Sequence, residues 1–432
     1  MPNNRIKRKS RQFYEVPLVL SSPLSISSGT VHNTDHDVMR SPDGTPFIPG
    51  SSVAGAFRDY ITGNVRNSAA EKLFGYTHDE TDSSMSRIFI SDISFENAVI
   101  SVRDGIELSE YKVTQNGAKY DYEIIETGAE GVLKIEVVLY DSDSELDIDS
   151  VNDIVKCFIS AVHKGFIRFG FKKNRGLGQF CLNSVDNALY YRYREFDFSC
   201  GCADEYLHFL TESEYETVTF QPEQYSDNEN QIIFNIPLKL SGGISIRTYS
   251  AKPQEPDFAH ITTHDGTAVI PGSSWNGAIR ARAFDILKYD LDCWGLVTEL
   301  EKIWGIADKE KNQFIASQII FSESRIKNNT CMLQMTRNKI NRFDSSTVDS
   351  ALYTEQTCIG GETNLEIIIK NKQENLWVAG LILLVIRDIE NGLLAVGGQT
   401  AVGRGIFHGN SDINYQEYTY ALKEKINEVK CS

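Results

Sequence analysis

Residues 35–58, DHDVMRSPDGTPFIPGSSVAGAFR, return as residues 257–280, DFAHITTHDGTAVIPGSSWNGAIR, without a gap and with twelve of the 24 positions identical. Partners lie 222 positions apart. Upstream, VPLVLSSPLSI (16–26) matches IPLKLSGGISI (236–246) at an offset of 220. Downstream, Phe74-Gly75 matches Trp304-Gly305, SRIFISD (86–92) matches SQIIFSE (317–323), and GFIRFGFKKNRGLGQF (165–180) matches GLLAVGGQTAVGRGIF (392–407). Collinear blocks of this extent mark an internal duplication. The polar stretch QPEQYSDNENQ (221–231) divides the copies, which gives expected modules of 1–225 and 226–432.

Within each copy the patterning predicts an α+β fold. Period-two alternation in VPLVLSSPLSI is that of a half-buried strand, and Pro-Gly-Ser-Ser then opens a helix with a serine as the expected N-cap. Strands are expected over 87–95 and 318–324, and again at VLKIEVVLY (132–140) and TNLEIIIKN (363–371). A second helix follows, with Ser150 as the expected N-cap and an apolar face of Ile154, Cys157, Phe158, Ala161 and Val162. A short strand after the Gly-rich stretch completes a β-α-β-β-α-β order. The expected architecture is therefore two tandem ferredoxin-like modules of the kind that also underlies the RNA-recognition motif. The aromatic signature of that motif is absent, and the fold hosts many functions, so function rests on the sites.

Composition narrows the class. With 41% hydrophobic and 24% charged residues the chain is an ordinary globular protein. The longest apolar run, Leu376 to Ile386, falls short of the roughly 18 residues of a membrane span, and no signal-type apolar segment follows the basic start, so no membrane partner and a cytoplasmic location are expected. Eight cysteines without a CxxC pair exclude a disulfide framework, and Cys200-Gly-Cys202 lacks the second pair that a metal site needs. The net charge of −16 opposes indiscriminate phosphate binding. Acidic residues are nevertheless segregated in 77–84, 141–153 and 225–230, while basic ones gather in Arg5 to Arg11 and at Lys164, Arg168, Lys172, Lys173 and Arg175.

The IPGSS-x-x-G-x-x-R motif, present as Ile48 to Arg58 and Ile270 to Arg280 and followed by a terminal Gly-rich loop, resembles the repeat-associated mysterious proteins (RAMPs) of CRISPR systems. The likeness covers about 13–182 and 233–408. It is similar in particular to backbone subunits of type III effector complexes, and two modules in one chain resemble the double-backbone proteins of type III-D systems. Exposed amides at such a helix start can bind phosphate, as can glycine loops that let the backbone approach an anion. RNA contacts are accordingly expected at Ser51, Ser52, Arg58, Lys172, Lys173, Arg175, Gly176 and Gly178, and in the second copy at Ser273, Ser274, Arg280, Gly403, Arg404 and Gly405.

The resemblance implies a guide (crRNA)-binding backbone subunit that cleaves complementary target RNA, with other effector subunits as partners. It implies that 103–131 and 336–363 are thumbs that wedge into the guide–target duplex; the alternative is a plain β-ribbon. It also implies that Asp35, in a loop of pattern Asp-x-x-[VI]-x-R-x-P, cuts the target. Asp257 keeps the carboxylate but has Thr262 and His264 in place of Arg40 and Pro42. An aspartate there suits proton transfer from a 2′-hydroxyl or coordination of magnesium or manganese. Asp37 is a neighbouring carboxylate; Asp43-Gly44 and Asp265-Gly266 are expected as tight turns. His32, His36, His260 and His264 permit a third reading, a stand-alone guide-processing ribonuclease, and the second is a non-catalytic crRNA-binding subunit.

Overall fold

A computed structural model of the chain describes residues 7–29, 33–64, 67–77, 83–108, 114–143, 146–185, 188–225, 230–249, 256–308, 313–349 and 351–431. The fold is mixed α/β with mostly antiparallel sheets. It clusters into two compact units, 1–101 with 122–173 and 178–227, and 228–432 with 102–121 and 174–177. The second unit thus includes two stretches that the repeat comparison counts with the first copy.

The first unit is built on β1 (Arg8–Leu20), whose alternation buries Tyr14, Val16, Leu18 and Leu20. The strands that follow are β2 (Ile88–Ile90), β3 (Glu130–Tyr140), β4 (Phe180–Leu182), β5 (Ala188–Asp197) and β6 (Glu216–Phe220). β1 lies between β3 on one side and β4 and β5 on the other, with β2 outside β3 and β6 outside β5; every pairing is antiparallel. Helices α1 (Gly50–Asn64), α2 (Asn67–Phe74) and α3 (Ile148–His163) supply the other layer. Phe57 of α1 stacks on Phe158 of α3 at 3.9 Å between ring centroids, and both are fully buried. The β5–α4–β6 extension, with α4 at Ala203–Glu212, lies beyond the repeat and was not expected from its pattern.

The second unit repeats the scheme with β7 (Gln231–Ser241), β8 (Ile319–Phe321), β9 (Glu362–Lys370) and β10 (Ile406–Gly409), in the order β8-β9-β7-β10. Helices α5 (Gly272–Asp285), α6 (Val297–Trp304) and α7 (Lys372–Glu390) follow the same sequence order. Pairing puts Leu133 opposite Val16 and Leu365 opposite Ile236, so Leu133 corresponds to Leu365. That is one residue further than end-to-end matching of VLKIEVVLY and TNLEIIIKN gives. The run Leu376 to Ile386 is the buried stretch of α7, and among the described residues no helix is long and apolar enough to cross a membrane. α8 (Tyr415–Cys431) packs on α7 so closely that a Cβ on Gly380 would stand 2.2 Å from the Tyr418 carbonyl oxygen.

Two capping expectations need correction. α3 is capped by Asp147, whose carboxylate accepts from Ser150 N at 2.8 Å while the Ser150 hydroxyl answers at Asp147 N; Ser150 is therefore the third helical residue of a capping box and not the cap itself. α1 and α5 begin at the motif glycines, with Pro271 in the cap position of α5, so the serines lie inside the first turn. The close approach of the strand that follows each helix in sequence forces this start: a Cβ on Gly50 would lie 2.3 Å from Ile90 O, and one on Gly272 only 2.1 Å from Phe321 O.

Candidate functional site

Asp35 is exposed in a bend that leads from β1 towards α1. The loop around it is tied by its neighbours. Both oxygens of the buried Asp37 carboxylate are engaged locally: Oδ1 accepts from Thr34 N (2.9 Å) and Thr34 Oγ1 (2.8 Å), and Oδ2 from Asn33 N (3.1 Å). Asp37 is a loop former, which separates it from Asp35. Glu123, buried on the strand Thr114–Ile125, accepts from Val38 N at 2.9 Å and from Arg40 at 2.8 Å, while Glu123 N donates to His36 O at 3.0 Å. The motif arginine thus neutralises a carboxylate that fixes the loop, and Glu123 in turn raises the pKa of Arg40 through that bond.

The second loop is built differently. Asp257 is also exposed, but its Oδ2 accepts from Thr354 N (2.7 Å) and Thr354 Oγ1 (3.1 Å), which hold its pKa below the ordinary value, the amide first. Its carboxylate closes a strand end. In place of Val38 stands His260, fully buried, with Nδ1 accepting from Ile246 N at 3.1 Å. Burial drives its pKa down to about 4, against smaller opposing effects of the Val269 and Ile244 carbonyls. It is a core residue. The buried Glu355 pairs with Arg337 (2.7 Å) and Arg247 (3.5 Å) and accepts from Gln399 Nε2 at 2.6 Å. Asp43 and Asp265 form the expected Asp-Gly turns, accepting from Thr45 N and Thr267 N at 3.0 Å.

The Gly-rich loops share one backbone. Phe169 N bonds Gly178 O and Val396 N bonds Gly405 O, each at 2.9 Å; Gly178 N and Gly405 N then donate to Pro23 O and Gly243 O, each at 2.8 Å. A Cβ at either glycine would fall 1.8 Å from a carbonyl oxygen. The amides of Gly178 and Gly405 are consumed inside the protein, so both glycines serve to close the loop. Gly176 is buried, with a Cβ position 2.5 Å from Glu323 N within the second unit; Gly403 is exposed. In that unit Arg103 also makes a buried ion pair with Glu323.

The cations sort by partner. Among the described residues, Arg58 and Lys173, both exposed, have no carboxylate within ion-pair distance. Arg175 and Arg280 in the second unit also lack one; burial and then the charge of Arg280 lower the pKa of Arg175. Lys172 rests its ammonium 3.6 Å from the centre of the Tyr122 ring. Arg404 is turned inward, half-buried against Gly243 and 3.9 Å from Met335 Sδ, because it occupies the position of the buried Leu177. Ser51, Ser52 and Ser273 are exposed at their helix starts and Ser274 is half-buried; in the first copy Gly50 N is already bonded to Asp92 Oδ1 at 2.8 Å.

His264 is exposed, and His32 lies outside the described residues. Cys202 donates to the Asp197 carbonyl. No group of three or more His, Cys, Asp or Glu side chains among the described residues is placed to hold a metal ion. The described residues therefore bring together no pre-built metal centre, and Asp35 offers a single carboxylate.

The family model of the RAMP superfamily matches residues 18–181 and again 226–408, and the chain belongs to that superfamily as a tandem protein. Proteins of this superfamily are generally CRISPR-associated and RNA-binding. No curated protein matches the chain.

Proposed function

We propose that the chain is a guide-RNA-binding backbone subunit of a type III CRISPR effector, of the double-module kind seen in type III-D, and that it cuts complementary target RNA at Asp35. Two RAMP-family matches in one chain support the tandem backbone reading, and the order β2-β3-β1-β4, repeated as β8-β9-β7-β10, supports ferredoxin-like modules. Guide binding draws on Arg58, Lys173, Arg175 and Arg280, cations without carboxylate partners, with Ser51, Ser52, Ser273 and Ser274 at the helix starts. The paired strands Ile100–Leu108 and Thr114–Ile125, and the antiparallel pair Cys331–Arg337 with Tyr353–Ile359, are assigned as thumbs. The alternative of a non-catalytic subunit differs only at the aspartates.

The observation that carries the catalytic reading is the exposure of Asp35 on a loop that Asp37, Arg40 and Glu123 hold in place. Asp257, also exposed, lies on a loop without the arginine and glutamate of the first copy and is bonded to Thr354. At the first site Asp35 accepts the proton of a target 2′-hydroxyl; the 2′-oxygen bonds to the adjacent phosphorus, the bond to the 5′-oxygen breaks, and that oxygen takes a proton from water, whose hydroxide is neutralised by the proton that Asp35 releases. The products are a 2′,3′-cyclic phosphate and a 5′-hydroxyl. At the second site Asp257 is the weaker candidate. The test is the full chain assembled with guide RNA and its partner subunits, given end-labelled complementary RNA with magnesium, manganese or chelator. Asp35→Ala should abolish one product by at least about 10²-fold while binding persists. Cleavage by Asp35→Ala at every position as fast as wild type would leave the non-catalytic subunit as the surviving reading.

A further inference from the structure

Phe171 is an exposed aromatic ring held out by an unusual backbone. It is 45% accessible, yet its N–H is bonded to Ser25 O at 2.7 Å. The residues on both sides occupy the left-handed region: Gly170 at φ +81, where a Cβ would meet Ser25 O at 2.3 Å, and Lys172 at φ +55, a conformation that residues other than glycine rarely adopt. The ring sits 5.2 Å from the imidazole of His36, the residue next to Asp35, and Lys172 stands beside both Phe171 and Tyr122.

The second copy provides the comparison. Gly397 (φ +98) and Gln399 (φ +58) reproduce the left-handed pair, and Gly398 N bonds Ser245 O at 2.7 Å as Phe171 N bonds Ser25 O. The backbone is the same, but a glycine stands where the ring was, and Gln399 is bonded to Glu355. Loop geometry therefore does not require Phe171. An aromatic next to an imidazole, with an ammonium beside them, is the chemistry that receives an unstacked nucleobase and its phosphate.

We propose that Phe171 and His36 form a stacking subsite for one unpaired base of the target strand beside Asp35, with Lys172 at its phosphate, and that the second copy has no equivalent. This rests on the RNA-binding reading above and adds a positioning role that the reading does not contain.

The experiment uses the full chain loaded with guide RNA and target strands carrying 2-aminopurine at each position in turn, in the Asp35→Ala, Asp257→Ala background and with chelator so that the strand stays intact. Wild-type Phe171 should quench one position; Phe171→Ala should release that fluorescence, and Phe171→Trp should restore the quench. In the cleaving protein, Phe171→Ala should raise KM at the Asp35 site about 5-fold to 100-fold, the range expected for loss of one stacked base. Leu207→Ala, exposed on α4, should change nothing. Thermal melting checks that the variants are folded, and the conservative Phe171→Tyr provides the same quench should the alanine variant not be. Equal fluorescence of wild type and Phe171→Ala at every position, with target bound, overturns the stacking subsite and leaves the RNA-binding reading intact. Failure of the wild type to bind guide or target overturns both.

Discussion

Acidification should loosen the second unit through His260. The imidazole is 1% exposed and its pKa is lowered from 6.5 to about 4. In the unfolded chain it takes up a proton near pH 6.5, and in the folded chain only near pH 4. Stability is therefore complete above pH 6.5, falls as pH drops through the window from 6.5 to 4, and is constant below it as far as this group is concerned. The full window corresponds to about 3 kcal/mol, and the part between pH 7.5 and pH 5 to about 2 kcal/mol. Most carboxylates titrate below pH 5, so the upper part of the window isolates histidines. Differential scanning calorimetry should show the transition of the second unit moving down by roughly 4–8 °C over that range. His260→Val installs the residue that the first copy carries at the same place. It should lower the starting stability, because Ile246 N loses its acceptor, and it should flatten the pH dependence. His163, whose pKa is lowered by burial, acts in the same direction but in the first unit, so the difference between wild type and variant is the quantity to read. An unchanged pH slope in His260→Val would refute the reasoning.

Arg40→Ala should destabilise the first unit by about 2 kcal/mol, between the cost of breaking a buried pair and that of an exposed one, because Glu123 is 7% accessible and Arg40 31%. The double variant Arg40→Ala with Glu123→Gln should recover part of that loss in a thermal melt; no coupling between the two would remove Arg40 from its assigned role. Gly178→Ala should cost about 3 kcal/mol or more, since φ is +75 and the new Cβ would meet Phe169 O at 1.8 Å. Gly44→Ala, at φ +89 with nothing within 4 Å, should cost only about 1 kcal/mol, and equal melting points for the two would contradict the packing account.

The sequence carried the larger scheme because duplication and period-two patterning are written in local residue order. The motif glycines, the Asp-Gly turns and the buried run of α7 follow from such order. At the motif helices the caps were misplaced by two to three residues because the deciding contact is remote: Ile90 O against Gly50 has no signature near the motif. At the third helix the capping box is local, but Asp147 and Ser150 are both residues that can cap. Glu123 was missed for a related reason. It sits among apolar neighbours before Ile124 and Ile125, a position that calls for a buried counter-charge, yet the arginine that supplies it is 83 positions away. The inward turn of Arg404 was readable in principle, because it aligns with Leu177 once the glycines are matched. The exposure of Phe171 was not, since residue order alone does not distinguish a ring turned outward from one packed in the core.

Duplicated stretches within one chain, here identical at twelve of 24 positions, can exchange by recombination, and the buried partners of these loops set its tolerance. A crossover that copied residues 257–280 over 35–58 would put threonine at position 40, leaving the Glu123 carboxylate with the backbone amide at position 38 as its remaining partner there, and would force histidine into the apolar place of Val38. The reverse copy would put valine at position 260 and strip Ile246 N of its acceptor. Either hybrid pairs a loop with the wrong downstream strand. The two loops are thus not interchangeable, because each depends on side chains that no alignment of the shared residues displays.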